Sequence, residues 1–293
     1  MSGLDEPLRG AFERALGAPI RSAARVHGGD VAIAYRIDTD DGRTVFGKSH
    51  SSPPAHFFST EAAGLRWLCD ADAVSVPDVI AVGDGAPAFL LLEWIDEGAR
   101  LQATDHEFGA SLASLHQAGA PSFGREDGRT TGSRALPNDP CDTWIEFYAE
   151  RRLLPLARLA TDGAALPAES IRQLERLAGD LERVGGPPEP PSRLHGDLWA
   201  GNRIVDRDGR SWLIDPAAHG GHREFDLAMM RLFGGYSAAC FDAYADASAD
   251  WAPLADGWED RIALHQIAPL VVHAIKFGGG YVASAAAAIA RYT

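Results

Sequence analysis

Residues 194–215, LHGDLWAGNRIVDRDGRSWLID, decide the fold of this chain. Asp197, Asn202 and Asp215 follow one another at offsets of five and thirteen residues, the layout of a catalytic base and two magnesium ligands in kinase-type phosphotransferases. Phosphoryl transfer leaves the protein mainly to hold an in-line geometry and to neutralise charge on the phosphates. Carboxylate and amide oxygens suit the hard Mg²⁺ ion. The stretch therefore predicts a site for phosphoryl transfer.

The residues around this triplet predict how it is presented. RIVD and SWLID, separated by the turn RDG, indicate a short hairpin that returns Asn202 and Asp215 to one point. Asp197 lies in the preceding loop, where it can accept a hydroxyl proton. His195 is interpreted as a structural histidine that holds the loop. Trp199 either forms a wall of the substrate pocket or anchors a core.

Composition limits the classes of partner. The chain has 293 residues, enough for two lobes or one large domain, and its 27 basic and 41 acidic residues give a net charge of -14. This charge predicts neither nucleic acid nor an anionic membrane as a partner. Three widely separated cysteines, Cys69, Cys141 and Cys240, support neither a disulfide framework nor a cysteine zinc site. The expected location is the cytoplasm, because neither a signal peptide nor a run of ~20 apolar residues is seen.

The periodicity of apolar residues changes along the chain. Up to about residue 95 the pattern is strand, strand, strand, helix, strand, strand, whereas helical periodicity dominates afterwards. We therefore predict an α+β fold with a small β-rich nucleotide-binding lobe, residues 1–95. Residues 96–293 form a larger, mainly helical lobe with the catalytic loop and the acceptor site. The long polar loop 120–141 is either an element of the acceptor site or merely mobile.

The first lobe offers candidate nucleotide-binding residues. Lys48, one of only two lysines in the chain, ends an extended run, and Glu61 lies thirteen residues later in a helical pattern. Together they can form the ion pair that places a lysine on nucleotide phosphates, although two surface charges are the alternative. Gly28 and Gly29 in HGGD either cover the phosphates with backbone N–H groups or form a plain turn. The segment from Glu93 to Ile95 ends the last strand of the first lobe, where its backbone groups can meet an adenine edge.

Two histidines and an aspartate follow the metal-binding stretch. His219 and His222 have a spacing that suggests a metal site, but no third ligand is near them in sequence. We therefore predict supporting or substrate-contacting roles for both. Asp226 opens an apolar helical run, and we interpret it as structural, either near a helix N-terminus or hydrogen-bonded to the catalytic loop.

Three segments carry a resemblance that covers nearly the whole chain. LHGDLWAGN, LIDPAAHGGHREFDLAMMRLFGG and GSRALPNDPCDTWIEFYAERRL resemble the fructosamine/ketosamine kinase family. The resemblance implies a protein-kinase-like, two-lobed fold related to that of aminoglycoside phosphotransferases. It also implies ATP and Mg²⁺ as cosubstrates and phosphorylation of the 3-hydroxyl of a ketosamine. In the family this 3-phosphate is unstable and eliminates, so the glycated amine is released from its sugar. This deglycation reaction is used in protein or metabolite repair.

The resemblance also implies roles for individual residues. Asp197 becomes the base, Asn202 and Asp215 the metal ligands, Lys48 the phosphate-contacting residue and Glu61 its partner; Trp199 and loop 217–223, with His219 and His222, become walls of the sugar pocket. Some members carry a cysteine in the nucleotide loop that is linked to redox-dependent dimerisation. HGGD has no cysteine, so such switching is not expected, and we predict a monomer.

Two rival functions stay open at this point. The first is a kinase of the same fold acting on an aminoglycoside, choline or another alcohol, because fold does not settle substrate. The second is a catalytically silent, nucleotide-binding pseudokinase. Within the ketosamine interpretation, the acceptor is either a small fructosamine, ribulosamine or erythrulosamine, or a glycated lysine side chain of a protein.

Overall fold

Five antiparallel strands form a sheet in the first part of the chain. The computed structural model describes residues 4–26, 32–126 and 136–293, so the predicted phosphate-binding Gly28 and Gly29 lie outside the described residues. The strand order is β1-β2-β3-β5-β4. The elements are α1 (Glu6–Leu16), β1 (Ile20–Val26), β2 (Ile33–Thr39), β3 (Thr44–His50), α2 (Phe57–Cys69), β4 (Val79–Gly83) and β5 (Ala88–Glu93).

The alternation of side chains along β5 sorts the two faces of this sheet. Leu91 belongs to a core that α1 covers, whereas Leu90 and Leu92 belong to a core shared with α2 and the helical part. On the α1 side, Gly47 of β3 allows close packing, because a Cβ there would approach the Ile37 side chain to 2.7 Å. The other face of the sheet is therefore turned toward the second lobe.

Helices dominate the rest of the chain. They are α3 (Gln102–Gln117), α4 (Trp144–Tyr148), α5 (Leu154–Asp162), α6 (Ala168–Ala178), α7 (Leu181–Val184), α8 (Glu224–Leu232), α9 (Ala238–Ser248), α10 (Trp258–Phe277) and α11 (Gly280–Ala290). A π-helical turn (Ala149–Leu153) joins α4 to α5, and a 3₁₀ turn covers Ala200–Asn202. Short strands complete the lobe: β6 (Ser192–Leu194), β7 (Arg203–Val205), β8 (Ser211–Leu213) and β9 (His219–Gly221).

Two contacts position the catalytic segment within the helical lobe. Gly109 of α3 lies against α9 so closely that a Cβ would meet the Cys240 carbonyl oxygen at 2.0 Å. Arg203, which begins β7, is fully buried and donates from Nη1 to Asp105 Oδ1 of α3 at 2.6 Å. The β7–β8 hairpin is thus fixed to the main helical layer.

The architecture confirms the predicted α+β fold with a β-rich first lobe and a mainly helical second lobe. The predicted boundary after residue 95 falls between β5 and α3. Among the described residues, no helix combines the length and the apolar character needed to cross a membrane.

Candidate active site

Lys48 lies where the sheet meets the helical lobe. Its Nζ donates to Glu61 Oε1 at 2.7 Å and also forms a short ion pair with Asp215 Oδ1. Burial by itself would lower the pKa of Lys48, but the carboxylates of Asp215 and Glu61 outweigh it and raise that pKa above its usual value. Burial and the nearby Asp215 raise the pKa of Glu61. Lys48 is therefore a charged lysine shared by two carboxylates, of which Asp215 is the stronger partner.

The predicted hairpin that carries the metal-ligand candidates is confirmed. In β7 and β8, Arg203 pairs with Leu213, and the Ile214 N–H donates to the Asn202 carbonyl at 3.0 Å. These bonds return the chain after residue 213 to the point that it left at Asn202. Asp215 then adopts a left-handed backbone with φ 54°, which is uncommon for a residue with a side chain. A constrained turn thus sets the direction of the Asp215 carboxylate.

Asp197 and Asn202 are directly connected. Asn202 Nδ2 donates to the Asp197 carbonyl at 2.8 Å and to its carboxylate Oδ2 at 3.1 Å. Burial, together with the negative charge of Asp215, raises the pKa of Asp197 to about 7, although the bond from Asn202 acts in the opposite direction. A carboxylate with a pKa near neutrality is suited to accept a proton from a hydroxyl group.

The catalytic loop is held from beneath by Asp226 at the start of α8. Its carboxylate, fully buried, accepts from the N–H groups of His195 at 2.8 Å and Gly196 at 2.9 Å. His195 Nδ1 lies 3.2 Å from the Asp197 N–H, and Nε2 lies 3.0 Å from the Ile214 carbonyl. This pattern fits the tautomer with the proton on Nε2. The predictions of structural roles for His195 and Asp226 are confirmed.

Gly196 is required by this arrangement. Its φ is 80°, and a Cβ there would approach the Ala217 carbonyl oxygen to 2.2 Å. Arg100 adds a second support that the sequence interpretation missed. Its Nη2 donates to the Ala200 carbonyl at 2.6 Å and forms a short bond to the Arg203 carbonyl. No local motif marks Arg100, because its acceptors are backbone groups about 100 residues away.

The predicted adenine-contacting segment ends β5. Val45 pairs with Glu93, and Lys48 pairs with Leu90, so the side chains of Glu93 and Lys48 lie on opposite faces of the sheet. The Glu93 carboxylate accepts from the Asp78 N–H at 3.3 Å and lines a groove of about 330 Å³. The Glu93 side chain therefore points away from the Lys48 face, and contact of the Glu93 and Ile95 backbone with an adenine edge stays a prediction.

The candidate sugar-contacting residues fall into two different environments. Trp199 is 41% exposed, whereas His219 and His222 are only 3% and 2% exposed. Burial lowers the pKa of each histidine to about 3. Both histidines face a small cavity, which is lined by Trp144, Phe147, Tyr148, Arg152, Leu194, His219, Gly221, His222 and Phe225. Trp199 is therefore accessible from solvent, whereas both histidines are buried around this cavity.

The helical lobe also brings two other potential metal ligands, Glu224 and His265, close to His222. Ligand atoms of His222, Glu224 and His265 all lie within 4.8 Å of one another. However, both Glu224 oxygens accept from Arg261, at 2.5 and 2.9 Å. A dication there would compete with a buried guanidinium for the same carboxylate, so the arrangement is a buried ion pair between Glu224 and Arg261 beside His222 and His265.

Lys276 is a further residue that the site prediction missed. It lies in the last turn of α10, and its positive charge lowers the pKa of Asp197, which places it near the catalytic loop. Its only sequence signal is rarity, because Lys48 is the other lysine of the chain. The base of loop 120–141 also approaches the site: Arg125 donates to the Thr60 carbonyl at 3.2 Å, next to Glu61.

Comparisons with known proteins agree with this geometry. The family model described as fructosamine kinase matches residues 9–293. An Enterococcus faecium protein named "probable ketoamine kinase" is 36% identical over 261 residues, which cover 87% of this chain and 90% of that protein. Mouse ketosamine-3-kinase is 32% identical over 305 residues, which cover 92% of this chain and 94% of that protein. The crystal structure of a candidate fructosamine-3-kinase from Thermobifida fusca has a TM-score of 0.90 at 38% identity, covering 99% of both chains. The resemblance stated from the sequence is confirmed, and the chain belongs to the fructosamine kinase family.

Proposed function

We propose that this protein is an ATP- and Mg²⁺-dependent kinase that phosphorylates the 3-hydroxyl of a ketosamine, a fructosamine or a ribulosamine, and so acts in deglycation. The observation that carries the proposal is the ion-pair network of Lys48, Glu61 and Asp215 beside the bonded pair Asp197 and Asn202. Residues from both lobes thus supply a phosphate-binding cation, a metal site and a base within one cleft.

The donor set of the hairpin fits a magnesium ion. Asn202 commits its amide nitrogen to Asp197, which leaves the amide oxygen as the atom available to a metal. Asp215 supplies a carboxylate oxygen, and both ligand types suit Mg²⁺. When bound, Mg²⁺ offsets negative charge on the phosphate oxygens, and ATP supplies the phosphoryl group. Lys48, held by Glu61, orients the phosphates, while the backbone of Glu93 and Ile95 borders the adenine.

Asp197 acts on the acceptor. With a pKa of about 7, its carboxylate is partly ionised at neutral pH and orients the 3-hydroxyl toward the phosphorus. It accepts the hydroxyl proton as the bond from the sugar oxygen to the γ-phosphorus forms and the bond from that phosphorus to the bridging oxygen breaks, with ADP as the leaving group. Trp199, exposed and only two residues away, provides an apolar face for the sugar. The names of the relatives, ketoamine kinase and ketosamine-3-kinase, favour a ketosamine over an aminoglycoside or choline as acceptor.

The setting of the protein is part of the proposal. Cys69, Cys141 and Cys240 are free thiols, as expected for a reducing compartment such as the cytoplasm. The acceptor is a small molecule or a glycated lysine side chain, and we propose a monomer as the working form.

The decisive experiment measures ATP consumption with Mg²⁺ and four acceptors: fructosyl-lysine, ribulosyl-lysine, an aminoglycoside and choline. We expect turnover only with the two ketosamines. Turnover with the aminoglycoside or choline alone would retain the fold and the catalytic residues but reject the ketosamine. ATP binding with no transfer to any acceptor would favour a pseudokinase.

The role of Asp197 has its own test with a matched control. Asp197→Asn should lower kcat by about 10²–10⁴-fold, the usual contribution of a general base. Asp208→Asn makes the same chemical change in the exposed turn of the same hairpin and should keep full activity. Near-normal turnover of a folded Asp197→Asn variant would show that Asp197 is not the base.

A further inference from the structure

A row of aromatic rings leads away from the catalytic loop along the helical lobe. Trp199 meets Phe233 edge-on, with ring centroids 6.2 Å apart, and Phe233 lies 5.2 Å from the ring of His273. His273 lies 5.6 Å from Phe277. These four residues, here called the aromatic strip, come from the catalytic loop, the end of α8 and the last two turns of α10.

The aromatic strip is open to solvent. Trp199, Phe233 and Phe277 are 41%, 39% and 51% exposed. In the described ranges 4–26, 32–126 and 136–293, six large apolar side chains are exposed, and these three are half of them. Single exposed apolar residues need no explanation, but a contiguous exposed row that begins two residues from the base indicates a binding surface.

Lys276 places a positive charge on this surface. Its Nζ lies 4.8 Å from the centroid of the Phe277 ring, and its side chain is only partly buried. A lysine in the last turn of a helix also complements the helix dipole, which explains a cation at this end of α10. The dipole does not explain why this cation lies beside the aromatic strip.

The charge of the whole chain makes this position selective. With a net charge of -14, the protein repels anions in general, and Lys276 is the only lysine besides Lys48 of the phosphate site. A local ammonium group therefore favours an anionic group at this position. In an amino acid glycated on its α-nitrogen, the carboxylate follows the glycated nitrogen within two or three bonds.

We propose that the aromatic strip binds the amine-derived part of the ketosamine and that Lys276 selects acceptors in which this part carries a nearby carboxylate, namely free amino acids glycated on the α-nitrogen. This inference rests on the proposed kinase function and deepens it. The aromatic faces pack against the sugar carbons and the amino-acid side chain. The Lys276 ammonium forms a charge-assisted bond to the carboxylate. A glycated lysine inside a protein has no carboxylate at this distance from the sugar.

A matched pair of acceptors tests the inference. Fructosyl-glycine and fructosyl-glycinamide carry the same sugar and differ only in a carboxylate or a carboxamide. The measured quantity is the ratio of their kcat/KM values, in which any general effect of a variant on turnover cancels. We expect a ratio of about 10 in the wild-type protein, since a hydrogen bond to a charged group contributes roughly a factor of ten or more. The ratio should approach 1 in Lys276→Gln and be retained in Lys276→Arg.

Two further variants complete the design. Arg176→Gln removes a charge on the exposed face of α6 and should leave the ratio at its wild-type value. Phe277→Ala should lower kcat/KM for both acceptors. A wild-type ratio of 1 or below, or a ratio unchanged in Lys276→Gln, would overturn the inference while the kinase function stands. A changed KM for ATP at a constant ratio would assign Lys276 to the phosphates and also overturn it. Absence of turnover with both acceptors, while fructosyl-lysine or ribulosyl-lysine is phosphorylated, would also overturn the inference, whereas absence of turnover with all four ketosamines would reject the proposed function itself.

Discussion

Replacement of the buried His222 should change how the stability of the protein depends on pH. His222 packs against the rings of Trp144 and His265, at centroid distances of 5.2 Å each. Burial is the largest cause that lowers the pKa of His222 to about 3, and the neighbouring His265 adds to it. The same side chain in the unfolded chain has a pKa of about 6.5. Between these two values only the unfolded state binds the proton.

The sign and size of the effect follow from proton linkage. As the pH falls below about 6.5, proton uptake at His222 favours the unfolded state, so this histidine lowers the free energy of unfolding. The slope approaches about 1.4 kcal/mol per pH unit for one proton. At pH 5 the loss is about 2 kcal/mol, and at pH 8 it is close to zero. This loss of stability disappears only when the pH rises above the pKa of the histidine in the unfolded chain.

His222→Leu isolates this effect. The substitution removes the acceptor Nδ1, to which the Glu224 N–H donates at 3.3 Å, whereas Nε2 has no hydrogen-bond partner among the residues that the structure describes. The lost bond should destabilise the variant by about 1 kcal/mol at pH 8. At pH 5 the variant should be more stable than the wild type by about 1 kcal/mol, because the proton-linked loss is gone. Urea unfolding at pH 8, 7, 6 and 5 measures the difference directly.

The comparison of two proteins makes the test specific, because other titrating groups cancel in the difference. His106→Leu is the matched control, since His106 is exposed on α3 and its replacement should give a difference that does not vary with pH. A difference in the free energy of unfolding between wild type and His222→Leu that stays constant from pH 8 to pH 5 would refute the reasoning. A fall of kcat/KM by tenfold or more in a folded His222→Leu protein would support the predicted contact with the sugar.

Two other predictions concern the ion pairs of the active site. Glu61→Gln leaves Lys48 with Asp215 as its carboxylate partner, and the loss of about 1.5–3 kcal/mol should lower kcat/KM for ATP by about 10- to 150-fold in ATP titrations. Asp226→Asn replaces the carboxylate that accepts hydrogen bonds from two backbone N–H groups. The free energy of unfolding, measured by urea titration, should fall by about 1–3 kcal/mol. It should also lower kcat more than it raises the acceptor KM, because the loop that carries Asp197 loses its support. Equal stability and kcat in Asp226→Asn would contradict the anchoring role.

The parts of the site that could be predicted from the sequence are those set by local geometry. The spacing from Asp197 to Asn202 and Asp215 works because a short hairpin has few possible registers, and the observed pairing of Arg203 with Leu213 is the one that brings both ligands together. The sequence distinguishes Lys48 from an ordinary surface charge only by the rarity of lysine and by its position in a strand. It distinguishes Glu61 only by its position in the following helix. Their ion pair forms because β3 and the following α2 are neighbours in space.

The parts that escaped prediction depend on contacts between distant segments. The aromatic strip connects α10 to the catalytic loop because α10 packs against α8, and no spacing within α10 encodes that arrangement. His265 arrives beside His222 in the same way, whereas Glu224, the remaining member of that cluster, is only two residues from His222 in the sequence. Periodicity could assign α10 as a helix but could not identify which of its residues lie beside the active site.

The electrostatics of the cleft link its architecture to its chemistry. Asp197, Asp215 and Glu61 bring three carboxylates together, whereas Lys48 is the cation in direct contact with two of them. The excess of negative charge, with burial, is what raises the pKa of Asp197 to about 7. Such a cluster destabilises the protein by itself, because like charges in a poorly hydrated cleft repel one another. A divalent cation held by Asn202 and Asp215 would offset that repulsion at the point where the phosphates must lie. The arrangement that makes Asp197 a competent base is therefore also the arrangement that favours a metal ion.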